Sequence, residues 1–331
     1  MAPTGGPLTV GVDIGGTKVL GVVLDPGDPD AAPLAMARRS TPRGGAAVVA
    51  AIAAVVDEVV AEAGHPDVAA VGVGLPGLVD RGGVLRSGPN LPGVVDLDGQ
   101  DALHEALGVT VTVDNDANCA AWAEHRWGSC RGIDEVVLVT LGTGIGAGLI
   151  SGGWLFRGAH GMAGEPGHMI VDPTGPRCPC GQRGCWERYA SGSGLGFLAR
   201  EAAVAGRADA VVERAGGDPE AVRGEHLTAV ARVGDTDALA VIDDFAWWVA
   251  LGLANLANVL DPATLVIGGG LVAEVDLFLE PTRRAFASLV LAGDHRPAVP
   301  IVAAELGERA GAVGAALLAA ERGSGAEGSN R

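Results

Sequence analysis

Three cysteines fall within eight residues, in the stretch CPCGQRGC at 178–185, and the rest of the 331-residue chain holds only Cys119 and Cys130. A disulfide framework, a redox pair and a metal site are the chemistries open to such a cluster. Five is an odd number, and the opening MAPTGGPLTVGVDIGG lacks a basic segment followed by an apolar stretch. No secretory signal, and so no disulfide framework, is expected. The spacings Cys178-x-Cys180 and Cys180-x4-Cys185 leave no redox Cys-x-x-Cys pair. Metal binding is the leading reading, and it requires a fourth ligand. Cys119 and Cys130 lie outside the cluster and read as core thiols.

Three glycine loops offer backbone N–H groups to phosphate: DIGGTK at 13–18, LGTGIG at 141–146 and IGGG at 267–270. None is a Gly-x4-Gly-Lys-Ser/Thr loop. Gly142–Ala147 and Gly268–Ala273 match a loose dinucleotide fingerprint. The first of these continues as a strand, however, and the second comes too late to open a βαβαβ half. One such turn alone reads more readily as a plain hairpin. Three, two of them carrying a threonine (Thr17, Thr143), favour phosphate. Asp13, at a strand end, is placed to hold the hydration shell of Mg²⁺, and a simple strand-end cap is the alternative. Lys18, the one lysine among 23 basic residues, also lies in the first loop. The arginine bias itself fits a GC-rich genome.

Alternating patterns predict the elements that carry these loops. Strands over 8–14 and 19–24 form a hairpin, and a helix over 45–63 ends at Gly64 and Pro66. A buried strand covers 68–77. Another, 109–113, runs into DNDANCAAWAEHRWG, whose first residues suit a helix N-terminus and whose Gly128 ends it. Residues 135–153 repeat the opening strand–turn–strand. Helices follow from about 191 to 258, the last long, apolar on more than one face and therefore buried. Residues 264–274 read as strand, turn and helix start, 299–306 as a last strand, ERAGAVGAALLAAE as a last helix, and 323–331 as a disordered tail. The class is α/β. The doubled strand–turn–strand implies two related α/β domains, hinged near Asn115–Ala120. A net charge of −17 argues against nucleic acid. No apolar run reaches the ~18–20 residues of a membrane span. A soluble cytoplasmic protein is expected, with neither nucleic acid nor membrane as partner.

DIGGTK, LGTGIGAG, EPGH, CPCGQRGCWE and IGGG, in this order, resemble the ROK family of sugar kinases and sugar-responsive repressors, and within it the bacterial glucokinases, over about residues 8–320. The resemblance implies an actin-like, hexokinase-type (ribonuclease H-like) fold of two α/β domains around a cleft. Residues 1–115, completed by 305–320, would form the small domain and 116–304 the large one. It implies ATP bound by Gly15, Gly16, Thr17 and Lys18, by Gly142, Thr143 and Gly144, and, at the adenosine, by Gly268, Gly269 and Gly270. Transfer to a sugar hydroxyl needs ATP·Mg²⁺ and a carboxylate base. In DNDAN, helix capping by Asp114, Asn115 and Asp116 explains the residues as well as catalysis does, and the resemblance assigns the base to Asp116. Gly77, Asn90, Asn115, Glu165, His168 and Glu187 carry over as sugar contacts. His168 lies ten residues before Cys178 and completes a Cys₃His set with Cys178, Cys180 and Cys185. Such a closed set suits a structural Zn²⁺, which would leave the second imidazole nitrogen to bond a sugar hydroxyl. The implied reaction phosphorylates the 6-hydroxyl of glucose. Fructose, N-acetylmannosamine and N-acetylglucosamine are alternative acceptors, and a homodimer or homotetramer the implied assembly. A repressor of the family would carry an N-terminal helix-turn-helix, whereas about a dozen residues precede Asp13. The glycine-rich SGSGLG after Tyr189 departs from the expected pattern and leaves the start of that helix open.

Overall fold

The computed structural model describes residues 7–65 and 67–323. Two of the expectations above, the role of Pro66 and the tail from 324 on, lie outside the described residues. The chain forms two compact units, the first comprising residues up to Asp134, Gly148–Gly164 and Glu308 onward, the second Glu135–Ala147 and Glu165–Gly307.

In the first unit, β1 (Leu8–Ile14), β2 (Lys18–Leu24) and β3 (Ala35–Ser40) pair antiparallel, while β4 (Val68–Leu75) and β8 (Thr110–Asn115) run parallel to β1, giving the order β3-β2-β1-β4-β8. Two helices complete a layer: α1 (Gly45–Glu62) and, after the small sheet β5 (Leu78–Val79), β6 (Val84–Ser87), β7 (Val95–Asp98), α2 (Gly99–Leu107). Helix α3 (Asp116–Trp127) follows β8 directly. The valines of α1 at 48, 55, 56 and 59, with Ile52, recur at helical spacing and are buried in one core with Val10, Val12, Val71 and Val73.

The second unit holds β9 (Val136–Leu141) and the start of β10 (Ile145–Ser151), within which the chain passes from one unit to the other. With β11 (Trp154–Leu155), β12 (Thr264–Gly268) and β13 (Ile301–Ala303) the sheet order is β11-β10-β9-β12-β13. Its helices are α4 (Glu187–Ala190), α5 (Gly192–Val204), α6 (Asp209–Arg214), α7 (Gly224–Ala231), α8 (Thr236–Leu260) and α9 (Val275–Leu289). Asp235 caps α8 by accepting from the Ala238 N–H at 2.8 Å. Among the described residues α8 is the one helix long and apolar enough to cross a membrane, and 56% of its most apolar window is buried in the protein. Phe245, Val249 and Leu253 are fully buried, as the sequence reading expects of a core helix.

The last helix, α10 (Ala310–Gly323), returns to the first unit. Glycines in β1 and β4 admit it: a Cβ at Gly11 would lie 1.8 Å from the Ala312 carbonyl oxygen, and one at Gly72 1.8 Å from that of Ala315. Gly314 meets α3 in the same way, 1.7 Å from the Cys119 carbonyl oxygen.

The compact units divide the chain differently from the domains that the resemblance implies. Helix α3 belongs with the first unit, so the boundary falls after Asp134 rather than at Asn115, and Gly148–Gly164 join that unit as well. Close backbone contact between α3 and α10 is the reason. Three smaller corrections concern the end of the chain. Residues 270–274 form a 3₁₀ turn, with the helix beginning at Val275; the last strand shrinks to Ile301–Ala303; and Gly323 closes α10 instead of opening a tail. Strands β3 and β5 to β7 and helix α2 had no expectation to meet.

In the second unit, the fully buried Trp186 seats the cysteine segment on α8. Its indole Nε1 donates to the Trp248 carbonyl at 2.7 Å, and a Cβ at Gly252 would come within 1.9 Å of its ring. Gly252→Ala should therefore cost at least about 1–3 kcal/mol, as overpacking does, measured by urea unfolding. An unchanged midpoint would show that the ring moves freely.

Candidate active site

In the first unit the parallel register sets Asp13 beside Gly74, and Gly74 beside Asp114, at the C-terminal ends of β1, β4 and β8. Ligands of α/β sheets bind outside such strand ends. A Cβ at Gly74 would lie 3.3 Å from the Asp116 Cα, 3.4 Å from the Cys119 Sγ and 3.6 Å from Asp13 Oδ1. The strand-end carboxylate and the start of α3 therefore close on one glycine. Burial pushes the Asp13 carboxyl up to about 6, against the pull of the Lys18 ammonium. Burial, with Asp114, Asp13 and Asp116 around it, pushes the Cys119 thiol well up, which suits an inert core thiol.

The first glycine turn is stapled to its surroundings. The Gly15 N–H donates to the Lys18 carbonyl at 2.8 Å, and the Thr41 hydroxyl donates to the Gly15 carbonyl at 2.7 Å. A Cβ at Gly16 would sit 3.3 Å from the Asn90 carbonyl oxygen, so the first glycine turn and the exposed Asn90 are neighbours. Lys18 itself opens β2, and its Nζ lies 3.0 Å from Glu308 Oε2, while the other Glu308 oxygen takes Arg38 at 2.6 Å.

DNDAN divides its labour residue by residue. Asn115 is the cap: its Oδ1 accepts from the N–H groups of Ala117 and Asn118 at 2.8 and 3.0 Å. Its Nδ2 donates to the Gly77 carbonyl at 3.0 Å, joining two of the expected sugar contacts. Asp116 is the first helical residue and half-buried. Asp114 is buried and braces the turn. Its Oδ1 accepts from Asn115 N and Asn118 Nδ2, and its Oδ2 receives Arg157 Nε and Nη2, both at 2.7 Å. Asp116 Oδ1 also accepts from the Ala117 N–H, at 2.9 Å, so Asp116 shares in the cap.

The second unit gathers the remaining residues. A Cβ at Gly269 would meet the Leu141 backbone at 2.7 Å, and one at Gly144 would meet Glu187 Oε2 at 2.6 Å. The third loop, the second glycine turn and Glu187 are therefore contiguous. SGSG finds its explanation at the same turn. Ser191 is buried and caps α5 through the Gly194 N–H at 3.1 Å. The Gly192 N–H donates to the Gly142 carbonyl at 2.7 Å, and the Ser193 hydroxyl to the Thr143 carbonyl at 2.8 Å. Farther along, Arg232 on α7's C-terminal side grips Glu274 and Asp276, just past the third loop, with contacts of 2.7 to 3.0 Å.

His168, Cys178, Cys180 and Cys185 place their ligand atoms within 4.8 Å of one another. Cys178 Sγ is 3.8 Å from His168 Nδ1, and Cys180 Sγ 3.6 Å from Cys185 Sγ. Zn–S bonds of about 2.3 Å and Zn–N bonds of about 2.0 Å, arranged tetrahedrally, need edges of nearly this length, so the four groups fit zinc. Backbone bonds hold the cysteine loop shut, Cys178 N to Gln182 O at 2.8 Å, Gly184 N to Pro176 O at 2.9 Å and Trp186 N to Met169 O at 2.8 Å. Because Nδ1 faces the cysteines, Nε2 is the imidazole atom left for another partner. Burial, and the Glu187 carboxylate that accepts from it at 2.9 Å, push the Cys178 thiol up. A bound dication would draw that proton off. Burial also raises the Glu165 carboxyl, with His168 opposing and Glu187 assisting.

Within each unit several of the expected residues are thus neighbours: Gly16 and Asn90, Gly77 and Asn115, Gly144 and Glu187, and His168 with the three cysteines. Sequence reasoning missed the residues that hold them: Asp114 as a brace, Arg157, Glu308, Arg232 and Ser191. Of these only Ser191, in a serine–glycine run before an apolar helix, carried a local signal.

A profile of the ROK family matches residues 9–322. A glucokinase of Streptomyces coelicolor is 40% identical over 95% of this chain and 98% of its own. The glucokinase of Thermotoga maritima is 36% identical over 76% of this chain and 79% of its own. Among solved structures, a ROK family glucokinase from Streptomyces griseus in complex with glucose and AMPPNP superposes with a TM-score of 0.85 at 39% identity, covering 95% of this chain and 99% of that one. The chain belongs to the ROK family, and its fold is the actin-like, hexokinase-type α/β fold.

Two outcomes are expected. Elemental analysis should find about one zinc per chain, the content of a closed four-ligand site. Cys180→Ser should lose it and melt at lower temperature, because metal binding is coupled to folding; a metal-free wild type of undiminished heat stability would contradict this. The second concerns Asp13, whose folded-state pKa of about 6 exceeds the ordinary aspartate value of 3.8. Its protonated form therefore stabilises the fold below about pH 4, and that contribution is lost as pH rises through 6. Asp13→Asn should accordingly be more stable than wild type at pH 7.5, by on the order of 2 kcal/mol. The gap should close by pH 4. A pH-independent difference in thermal unfolding would refute the assignment.

Proposed function

We infer that this protein is an ATP-dependent glucokinase, which moves the γ-phosphoryl group of ATP to the 6-hydroxyl of glucose and gives glucose 6-phosphate and ADP. The observation that supports the reading is the crowding of Asp13 and the start of α3 on Gly74, which brings the half-buried Asp116 to the C-terminal strand ends from which the first glycine turn also leaves. The glucokinase relatives, matched over nearly their whole length, supply the identity of the sugar.

Asp116 accepts the proton of the 6-hydroxyl as that oxygen attacks the γ-phosphorus and the bond to the ADP oxygen breaks. ATP enters with Mg²⁺, whose hydration shell Asp13 holds. Backbone N–H groups of Gly15–Lys18 and Gly142–Gly144 carry the phosphates, Thr17 and Thr143 add hydroxyl donors, and Gly268–Gly270 border the adenosine. Lys18 exchanges Glu308 for phosphate. Gly77, Asn90, Asn115, Glu165, His168 and Glu187 serve the sugar hydroxyls. Asn115 does so with its remaining Nδ2 proton, since its Oδ1 is occupied by the cap. His168, Cys178, Cys180 and Cys185 would hold a structural zinc, which would fix the His168 ring and leave Nε2 to the sugar. We place the enzyme in the cytoplasm, where ATP and reduced thiols are available, as a homodimer or homotetramer.

A coupled assay over glucose, fructose, N-acetylmannosamine and N-acetylglucosamine with ATP·Mg²⁺ tests the reading, with glucose expected to give the highest kcat/KM. Asp116→Asn should keep glucose binding and lose about 10²–10⁴-fold in turnover, as for a missing general base. Near-normal turnover in that variant would move the base elsewhere, and preference for an acetylated sugar would replace the substrate.

A further inference from the structure

We propose that Arg157 is a positioning residue for the catalytic turn, acting through Asp114 on Asn115 and Asp116. The proposal rests on the assignment of Asp116 as base. Arg157 delivers two donors, Nε and Nη2, to one oxygen of Asp114, each at 2.7 Å. The other Asp114 oxygen holds the Asn115 N–H at 2.8 Å and the Asn118 amide at 2.9 Å, one residue before and two after Asp116. Asp114 is 5% exposed, and its partner's side chain 26%. A carboxylate this deep keeps its orientation only while donors fill both of its oxygens. With the guanidinium in place, the carboxylate plane is fixed from one side and the first turn of α3 hangs from the other.

Arg157 is itself held. The next residue, Gly158, presents its carbonyl to Arg81 Nε and Nη2 at 3.2 and 2.7 Å, and the Ala163 N–H donates to the Arg157 carbonyl at 3.1 Å. The loop is pressed onto the 80–81 turn, since a Cβ at Gly161 would come within 2.7 Å of Arg81 N. A guanidinium on a loop this constrained is pre-organised, and one-ångström shifts of a catalytic group cost about 10²-fold in rate. Lysine cannot replace it, because one ammonium lacks the fork that places two N–H groups on one oxygen.

The test is a double-mutant cycle. Arg157→Ala should keep its zinc and its far-ultraviolet circular dichroism, lower kcat by at least about 10-fold and leave KM for ATP within about twofold. Added guanidinium should restore part of kcat, whereas Arg157→Lys should restore little. Because Arg157 acts through Asp116, its removal from Asp116→Asn should cost little more, at most about threefold, as for groups that work as a unit. Losses that multiply across the cycle, or a wild-type kcat in Arg157→Ala, would overturn the proposal. Should Arg157→Ala not fold, Arg157→Lys is read through the same cycle, and failure of both to fold would reduce Arg157 to a structural part. The Asp116→Asn single variant reports separately on the base itself.

Discussion

The carboxylate of Asp114 collects four donors, two from the turn that carries Asp116 and two from an arginine 43 residues later. Breaking a buried pair of this kind costs about 3–5 kcal/mol, because the partner left behind is an unpaired charge. The interaction therefore locks the end of β8, the N-terminus of α3 and the loop at 157–158 into one arrangement. Register does the rest. With Asp13, Gly74 and Asp114 aligned across three parallel strands, the glycine turn that follows β1 and the helix that follows β8 leave the sheet at the same edge.

The second unit positions its loops differently, with the exposed Arg232 pairs beside the third loop and, among the described residues, no ion pair at the back of the cysteine loop. Its cysteine loop is closed by backbone hydrogen bonds, and Tyr189 and Trp186 anchor it from behind. Tyr189 stacks on Trp248 with ring centroids 4.0 Å apart and donates to Asp172 at 2.8 Å. Asp172 in turn accepts from Thr174, and these bonds hold its carboxyl below the usual range. A small loop with so few apolar groups has little hydrophobic burial to stabilise it, which is the circumstance in which a structural metal adds folding free energy.

Small residues set the scale of the whole molecule. Fifty-three glycines and many alanines bring helix backbones onto strands, as α10 comes onto β1 and β4, at separations where even a methyl group would collide. Interiors packed in this way transmit displacement, because a shifted helix has no side-chain layer in which to absorb it. Precision at Asp13 and Asp116 follows from that closeness. So does a cost: burial takes the Asp13 carboxyl out of water and raises its pKa, disfavouring the charged form.

Local chemistry wrote much of this protein directly into its sequence. The two strand–turn–strand hairpins, α1, the buried character of α8, the start of α3 and the Cys₃His set were all legible, since hydrophobic period, caps and ligand spacing act over a few residues. The family's motifs pointed to the glycine loops and to Asp116. Elements with weak local signals were not legible: the short strands β5 to β7 depend on cross-strand partners, and the unit boundary after Asp134 depends on how α3 meets α10. DNDAN stayed ambiguous for the same reason. Its residue types suit a cap and a catalytic site equally, and only the folded chain gave Asn115 the cap, Asp114 the brace and Asp116 the first helical position. Arg157 for Asp114, Glu308 for Lys18 and Arg232 for Glu274 are partners chosen across 43, 290 and 42 residues. No pattern within a strand or a helix encodes such pairs, because the distance that joins them exists only after the sheet has been assembled.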